Sequence, residues 1–444
     1  MTSAASLVLK GSPREGLLGA TLGFFVGFAA VALFGPTAVR FREAMDLSPM
    51  ALGFLVAMPA LSGSLLRIPF SAWVDTTGGR KPFLVLLGLS LAGMTGVALL
   101  VATRYPDGLS AAMYPLLLVL GLLCGCGIAT FSVGISQVAY WFPQKRQGSA
   151  LAIYAGVGNL APGLFSLALP LALQSFGLAY SYFAWLLFLG AGTALYAVYG
   201  RNAWYFQLRD QGLSAADAQR VARERGQELF PAGSTRESLR NSAQAWQTWA
   251  LVAIYFTTFG GFVALTAWLP TYWVSFFAVS VIAAGVLTAM YTLLASLIRI
   301  LGGVVADRLT QGGQNTSILA LLIMLAGALV MTLATRLELA IPGVLLLAIG
   351  MGVCNAAVFK IVPQVVPHAI GGAAGWVGGL GALGGFVIPP MMAFAVRDLG
   401  EPGYAIGFIV FVFLALASLS MAWVLKYGGQ PEVSRPAAPA TARS

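Results

Sequence analysis

The chain has 444 residues, of which 59% are hydrophobic and only 9% are charged, and its formal net charge is +10. A soluble globular domain carries about 25% charged residues, so the composition excludes a soluble protein and indicates an integral membrane protein. The excess of basic residues would suit nucleic-acid binding. Their distribution along the chain indicates membrane topology instead, and we expect no nucleic-acid partner.

Apolar runs long enough to cross a bilayer recur twelve times, which predicts an all-α membrane protein with twelve transmembrane helices. We number these runs as spans one to twelve. They cover residues 16–39, 50–74, 82–103, 112–138, 149–173, 178–200, 248–272, 280–304, 316–335, 341–365, 370–396 and 404–425. The first run is too long for the apolar region of a cleavable signal peptide, so we expect none.

One long polar stretch, residues 201–246, separates the first six spans from the last six. This predicts an N-terminal six-helix bundle over 1–200, a partly helical linker, and a C-terminal bundle over 247–427. The tail 428–444 is rich in Pro and Ala and is predicted to be disordered.

Within the linker, Ser214 predicts an N-cap and Asp217 a first-turn acid for a helix that we expect over Ala218–Leu229. With the N-terminus inside, 17 of the 25 Lys and Arg residues lie in cytoplasmic segments and only five in outer loops. By the positive-inside rule, this asymmetry predicts that both termini are cytoplasmic.

The two sets of six spans resemble each other, which predicts two pseudo-symmetric bundles with a substrate site between them. Residues of the first half recur in the second at nearly constant offsets. The pairs are Arg67 and Arg299, Asp75 and Asp307, both 232 residues apart, and Gly125 and Gly352, Gln137 and Gln364, both 227 residues apart.

Arg67 and Arg299 lie inside apolar runs, eight residues before an aspartate that ends each run. At 1.5 Å per residue, both are about 12 Å from a helix end, near the middle of the bilayer. An ionisable residue at that depth indicates function, and two cations without carboxylate partners indicate an anion site. The alternative is that each arginine is satisfied by backbone carbonyls or reaches back to an interface.

The loop after span two reads Ser71-Ala-Trp-Val-Asp75-Thr-Thr-Gly-Gly-Arg80-Lys81 and resembles the loop motif of the major facilitator superfamily. Asp307 and Arg308 begin a shorter counterpart after span eight. In that superfamily, the resemblance implies, Asp75, Arg80 and Asp307 join a gate that holds the halves together on the cytoplasmic side. The alternative is an ordinary pair of solvated loop charges.

Glycine-rich stretches in spans five and eleven and the start of span seven, from Tyr255 to Phe262, resemble the NarK-type nitrate/nitrite porters of that superfamily. The resemblance implies that Arg67 and Arg299 bind nitrate and that aromatic side chains and Asn159 complete the pocket. Packing is the alternative for each. The implied pocket residues are Tyr255, Phe259, Phe131 and Asn159, and the implied gating glycines are Gly156, Gly158, Gly163, Gly375, Gly378, Gly379 and Gly381.

Nitrate is planar and monovalent, and a planar guanidinium can hold two of its oxygens at once. All fifteen acidic residues fall in loops or at helix ends, so a buried carboxylate proton relay is missing and nitrate/nitrite antiport is favoured. Lys360 within span ten leaves proton-coupled symport open, unless its amine simply reaches the interface.

Further alternatives are an exchanger of another small or organic anion on the same fold and a sensor that does not transport. The sequence has no nucleophile–base pair, phosphate loop or metal-ligand cluster, so we expect neither an enzyme nor a cofactor. The predicted partners are nitrate, nitrite and the lipid bilayer of the inner membrane, in which we expect a monomer.

Overall fold

The computed structural model describes residues 8–231, 235–308, 312–366 and 370–428, and within these ranges the regular structure is helical. In chain order the α-helices are Pro13–Phe28, Ala38–Met45, Pro49–Leu65, Arg67–Thr77, Arg80–Arg104, Tyr114–Gly125, Thr130–Trp141, Gln144–Gly158, Ala161–Tyr199, Trp204–Asp210, Ala215–Glu224, Thr235–Gln244, Trp246–Tyr255, Gly261–Phe277, Val281–Arg308, Gly312–Leu333, Leu337–Val365, Ile370–Leu380, Gly384–Leu399, Gly403–Ile406 and Ile409–Tyr427. The predicted disordered tail lies outside the described residues from 429 onward.

Eleven helical runs in the described ranges are long and apolar enough to cross a membrane. The run Ile153–Tyr199 holds two of the predicted spans, five and six, because Gly177 within it has a non-helical backbone with φ 74° and ψ 180°. That region of φ is open to glycine, which has no Cβ. The observed helices therefore agree with the predicted twelve spans.

Six of the spans are interrupted part-way along their length. Short 3-10 or π turns or single breaks occur at Ala29–Ala32 in span one, Leu66 in two, Cys126–Ala129 in four, 159–160 in five, Phe256–Gly260 in seven and Gly381–Leu383 in eleven. Irregular backbone is tolerated in a membrane only where protein buries it or where it lines a cavity. The breaks are largely buried, so they mark the interior where the halves meet.

The linker lies against both halves at one end of the molecule, which we call the linker face; the opposite end is the far face. Its first part binds the N-terminus, where the Gln207 and Gln211 side chains pair with the backbone of Lys10 and Val8. The Ser214 hydroxyl accepts from the Asp217 amide at 3.1 Å, as an N-cap should.

The capped helix is shorter than predicted, and a second linker helix was not predicted. Ala215–Glu224 ends before Gly226, whose φ of 90° stops the helix, so the expected extension to Leu229 was wrong. The second helix, Thr235–Gln244, packs on span eleven. There the Trp376 indole donates to the Leu239 carbonyl at 3.0 Å and the Gly372 amide donates to the Ser238 hydroxyl at 3.1 Å.

The halves close on each other toward the far face. Gly53 of span two lies against Pro389 and Ala393 of span eleven, and Gly35 of span one lies against the Ala267 carbonyl of span seven. Glycine at these positions lets backbones approach closely, as in other membrane helix pairs.

Gly125 and Gly352 show the internal duplication in three dimensions. A side chain at Gly125 would collide with the Pro59 carbonyl of span two, and one at Gly352 would collide with the Ala295 carbonyl of span eight. The two glycines thus make the same close contact, span four on span two and span ten on span eight.

We therefore expect Gly125→Ala and Gly352→Ala each to destabilise the protein by about 1–3 kcal/mol, the usual cost of overpacking. Gly190→Ala is the matched control, because the nearest atom to its added methyl is Leu91 Cδ1 at 3.9 Å. The measurement is the thermal unfolding midpoint of purified protein in detergent. Equal midpoints for all three variants would contradict the close contact.

Candidate anion site

Arg67 is buried at the junction of the two halves, with 1% of its surface exposed. It begins the second helix of span two, directly after the break at Leu66. Its Nε donates to the Gly63 carbonyl at 3.1 Å and its Nη1 to the Gly378 carbonyl of span eleven at 2.9 Å. Nη2 is also buried, and within the described residues it has no hydrogen-bond partner.

Two phenylalanines hold the same guanidinium from the side. Its Cζ lies 4.9 Å from the ring centre of Phe131 in span four and 5.0 Å from that of Phe259 in span seven. Both rings are buried, and a desolvated cation over an aromatic face gains about 2 kcal/mol. The rings therefore present their faces to Arg67, whereas the sequence argument expected ring edges toward an anion.

Arg299 comes from the other half and is half-buried. It is close enough to Arg67 for their charges to repel, and the Tyr255 side chain is close to both arginines. The Tyr255 hydroxyl is fully buried beside Arg299 but outside hydrogen-bond geometry with it. Neither arginine forms an ion pair with a carboxylate in the part of the chain that the structure describes.

A buried aromatic cluster surrounds this pair with approximate two-fold symmetry. In the first half the Phe24 ring lies 4.9 Å from Phe28 and 5.3 Å from Phe131. In the second half Tyr255 lies 4.9 Å from Phe259 and 5.1 Å from Phe359. The halves join where Phe131 and Phe259 stack at 6.1 Å.

A cavity of about 1050 Å³ extends from this cluster toward the linker face. Arg299, Phe131 and Phe359 line its inner part, and Asp75, Tyr140 and the linker residues Leu229, Phe230, Ser238 and Leu239 line the part nearer the linker. With the far face closed, the site is accessible from the linker face alone among the described parts of the molecule.

Known sequences place this architecture in a family. The family model described as Major Facilitator Superfamily matches residues 20–389. The chain belongs to the Major Facilitator Superfamily. The predicted fold class, two pseudo-symmetric six-helix bundles, is thereby confirmed.

Among curated relatives, the chain is 30% identical to the probable nitrate/nitrite antiporter NarK1 of Thermus thermophilus, covering 91% of this chain and 89% of that protein. It is 27% identical to the probable nitrate transporter NarT of Staphylococcus epidermidis, covering 90% and 94%. The resemblance to NarK-type porters is confirmed by these relatives, which are transporters rather than enzymes.

Among solved structures, the inward open conformation of the xylose transporter XylE from E. coli superposes with a TM-score of 0.72 at 14% identity. It covers 96% of this chain and 98% of that one. At this identity the likeness shows the Major Facilitator Superfamily fold alone.

Asn159 stands at the break of span five, 2% exposed, and its Oδ1 has no partner among the described residues. Its backbone carbonyl accepts from the Ser296 hydroxyl of span eight at 3.0 Å, one turn before Arg299. The predicted Asn159 thus lies at the contact between the halves, next to the second arginine.

The predicted gating glycines fall into two groups in this Major Facilitator Superfamily chain. Gly156 and Gly375 line the cavity with free space beside them. The others are contact positions, where a Cβ would meet a neighbour: Gly158 meets Phe24, Gly163 meets Thr292, Gly379 meets Ile68 and Gly381 meets Tyr255, whereas Gly378 supplies the carbonyl bound by Arg67.

The predicted gate residues lie at the linker face. Asp75 accepts a hydrogen bond of 2.6 Å from the Tyr140 hydroxyl in its own half, and Arg80 donates to the Ala197 carbonyl at 2.7 Å. Their role in a gate between halves stays a prediction. The backbone of Asp307 is helical, but its side chain lies outside the described residues; Lys360 is half-buried in span ten and has an interaction partner.

Sequence reasoning missed three aromatic residues of the site, Phe24, Phe28 and Phe359. The duplication carried a signal for each. Phe131 and Phe359 are 228 residues apart, and Phe24 and Phe28 precede Tyr255 and Phe259 by 231. Applying the offset from the arginines to aromatic positions would have found all three.

Proposed function

We propose that this Major Facilitator Superfamily member exchanges nitrate and nitrite across the inner membrane by alternating access, with both termini in the cytoplasm and as a monomer. The proposal rests on one observation above all, the two neighbouring arginines at the junction of the halves with no carboxylate to neutralise them. The names of the relatives, which speak of nitrate and nitrite, support the same substrates.

The donors around the arginines suit a small planar oxyanion. The buried Arg67 Nη2 and the Tyr255 hydroxyl are available donors, and Arg299 faces the same cavity. Aromatic side chains leave little room beside the guanidinium groups, which disfavours a large organic anion. One nitrate between the two charges would relieve their repulsion and bind spans of both halves at once.

This arrangement also favours exchange over one-way transport. An unpaired arginine at the centre of a membrane helix costs about 2.5–3.5 kcal/mol on the insertion scale, and the empty site holds two that repel. A bound anion lowers the cost of closing the halves around them. The loaded carrier should therefore change conformation faster than the empty one.

The described state, in this account, receives anion from the cytoplasm, because the cavity reaches the linker face. The break positions of spans five, seven and eleven let the helices bend as the cavity closes. Gly156 and Gly375 stand where a side chain would fill the opening, whereas Gly378 holds Arg67.

Counterflow tests the function directly. With internal nitrite and external labelled nitrate, we expect proteoliposomes of the wild-type protein to accumulate label. Arg67→Lys and Arg299→Lys should each slow the initial rate at least about tenfold, because losing one hydrogen bond to a charged group costs about 1.5–3 kcal/mol.

The matched control is Arg104→Lys, since Arg104 is exposed at the end of span three. Near-normal counterflow by both site variants would refute the arginine pair as the binding site. Adding formate, oxalate or phosphate as competitors separates nitrate exchange from the other small-anion reading; stronger competition by one of these than by nitrite would favour that reading.

Coupling to protons is tested with a pH gradient. We expect nitrate uptake into liposomes loaded with nitrite to be independent of the gradient, because no buried carboxylate lies at the site in the described residues. Lys360→Met should then exchange as fast as the wild type. Faster uptake under an inward proton gradient, without internal nitrite, would instead establish symport.

A further inference from the structure

Buried polar atoms without hydrogen-bond partners are concentrated in two regions among the described residues. One is the arginine site, with Arg67 Nη2, Asn159 Oδ1 and the Tyr255 hydroxyl. The other is the part of span seven nearer the far face. There four such atoms occur within six residues: Trp268 Nε1, Thr271 Oγ1, the Tyr272 hydroxyl and Trp273 Nε1.

These four side chains are at most 1% exposed. An indole N–H can only donate, and a hydroxyl can donate as well as accept. A buried donor without an acceptor costs free energy, so a protein keeps several together only when something satisfies them in another state. Donors of this kind, free of carboxylates in their immediate contacts, are complementary to an anion.

Three of the donors share one face of the helix. Trp268, Thr271 and Tyr272 have the i, i+3, i+4 spacing of neighbours on a helix surface. That face looks toward the start of span twelve, where the Trp268 ring lies 6.2 Å from Tyr404 and the Tyr272 ring lies 5.1 Å from Phe408.

A cation from the other half reaches the same place. Arg42, in the helix that follows span one, is half-buried, and its Nη1 donates to the Tyr404 hydroxyl at 3.3 Å. The Tyr404 hydroxyl therefore links a first-half guanidinium to the ring that packs on Trp268. The site thus combines a fixed positive charge with neutral donors.

The face is covered in the described state by contacts that must break when the far face opens. Gly35 of the first half packs on the Ala267 carbonyl, directly before Trp268, and on Pro270, directly before Thr271. Separating the halves at the far face removes this cover and exposes the donors.

We propose that Trp268, Thr271 and Tyr272, together with Arg42, form a second anion site, the far-face site, which captures a small oxyanion when the far face is open. It hands the anion on to the arginine pair as the halves change position. The inference rests on the proposed function, since nitrate is the anion to be captured. It explains why donors without partners persist outside the central site.

The test compares the two faces of the membrane. Nitrate exchange is measured in vesicles of both orientations for Trp268→Phe, Tyr272→Phe and the double variant, changes that remove a donor and keep the ring. We expect KM for nitrate presented at the far face to rise about threefold for each single variant and about tenfold for the double. KM at the linker face and the maximal rate should not change.

Trp423→Phe and Tyr180→Phe are the matched controls, because both rings are largely exposed. Unchanged KM at the far face, or an equal rise at both faces, would overturn the far-face site. A fall in maximal rate together with a lower unfolding midpoint would also overturn it, since the donors would then be packing residues. Absence of exchange by the wild type would instead refute the proposed function itself, so the two failures are distinguishable.

Discussion

The hydrogen bond from Arg67 to the Gly378 carbonyl joins a permanent charge of the first half to the backbone of the second. A charge at this depth needs compensation, and the protein supplies it with dipoles and ring faces rather than with a carboxylate. Two of the three guanidinium nitrogens have carbonyl partners and the third has none in the described structure. The cation is thus held in position and only partly neutralised.

The rest of the architecture serves that position. Span two breaks at Leu66 so that Arg67 can fold back to Gly63, and the π turn in span seven, Phe256–Gly260, carries the Phe259 ring that faces it. Span eleven begins with glycines that let it approach span two and the linker helix Thr235–Gln244. A structure built in this way has one stable charge site and several helices that can bend around it.

The sequence predicted the spans, the duplication and the arginine pair because each follows from simple regularities: hydropathy, a constant offset and the rarity of charge in lipid. It did not predict the partner of Arg67. A carbonyl at Gly378 is made available by the course of the backbone, which no side-chain pattern encodes. The alternative of carbonyl satisfaction, left open for both arginines, holds in part for Arg67, while Arg299 faces the cavity. Helix ends were equally hard to predict, since Gly226 stopped the linker helix earlier than its charges suggested.

The central claim is that Arg67 is kept for a ligand and not for stability. The most direct measurement is the unfolding midpoint of Arg67→Met with and without nitrate, beside the wild type. Without nitrate we predict an equal or higher midpoint for the variant, because a buried charge is replaced by an apolar chain of similar length. Nitrate at 100 times its Kd should stabilise the wild type by about 2.7 kcal/mol and leave the variant unaffected. A much lower midpoint without nitrate, or equal stabilisation of both proteins, would contradict the account.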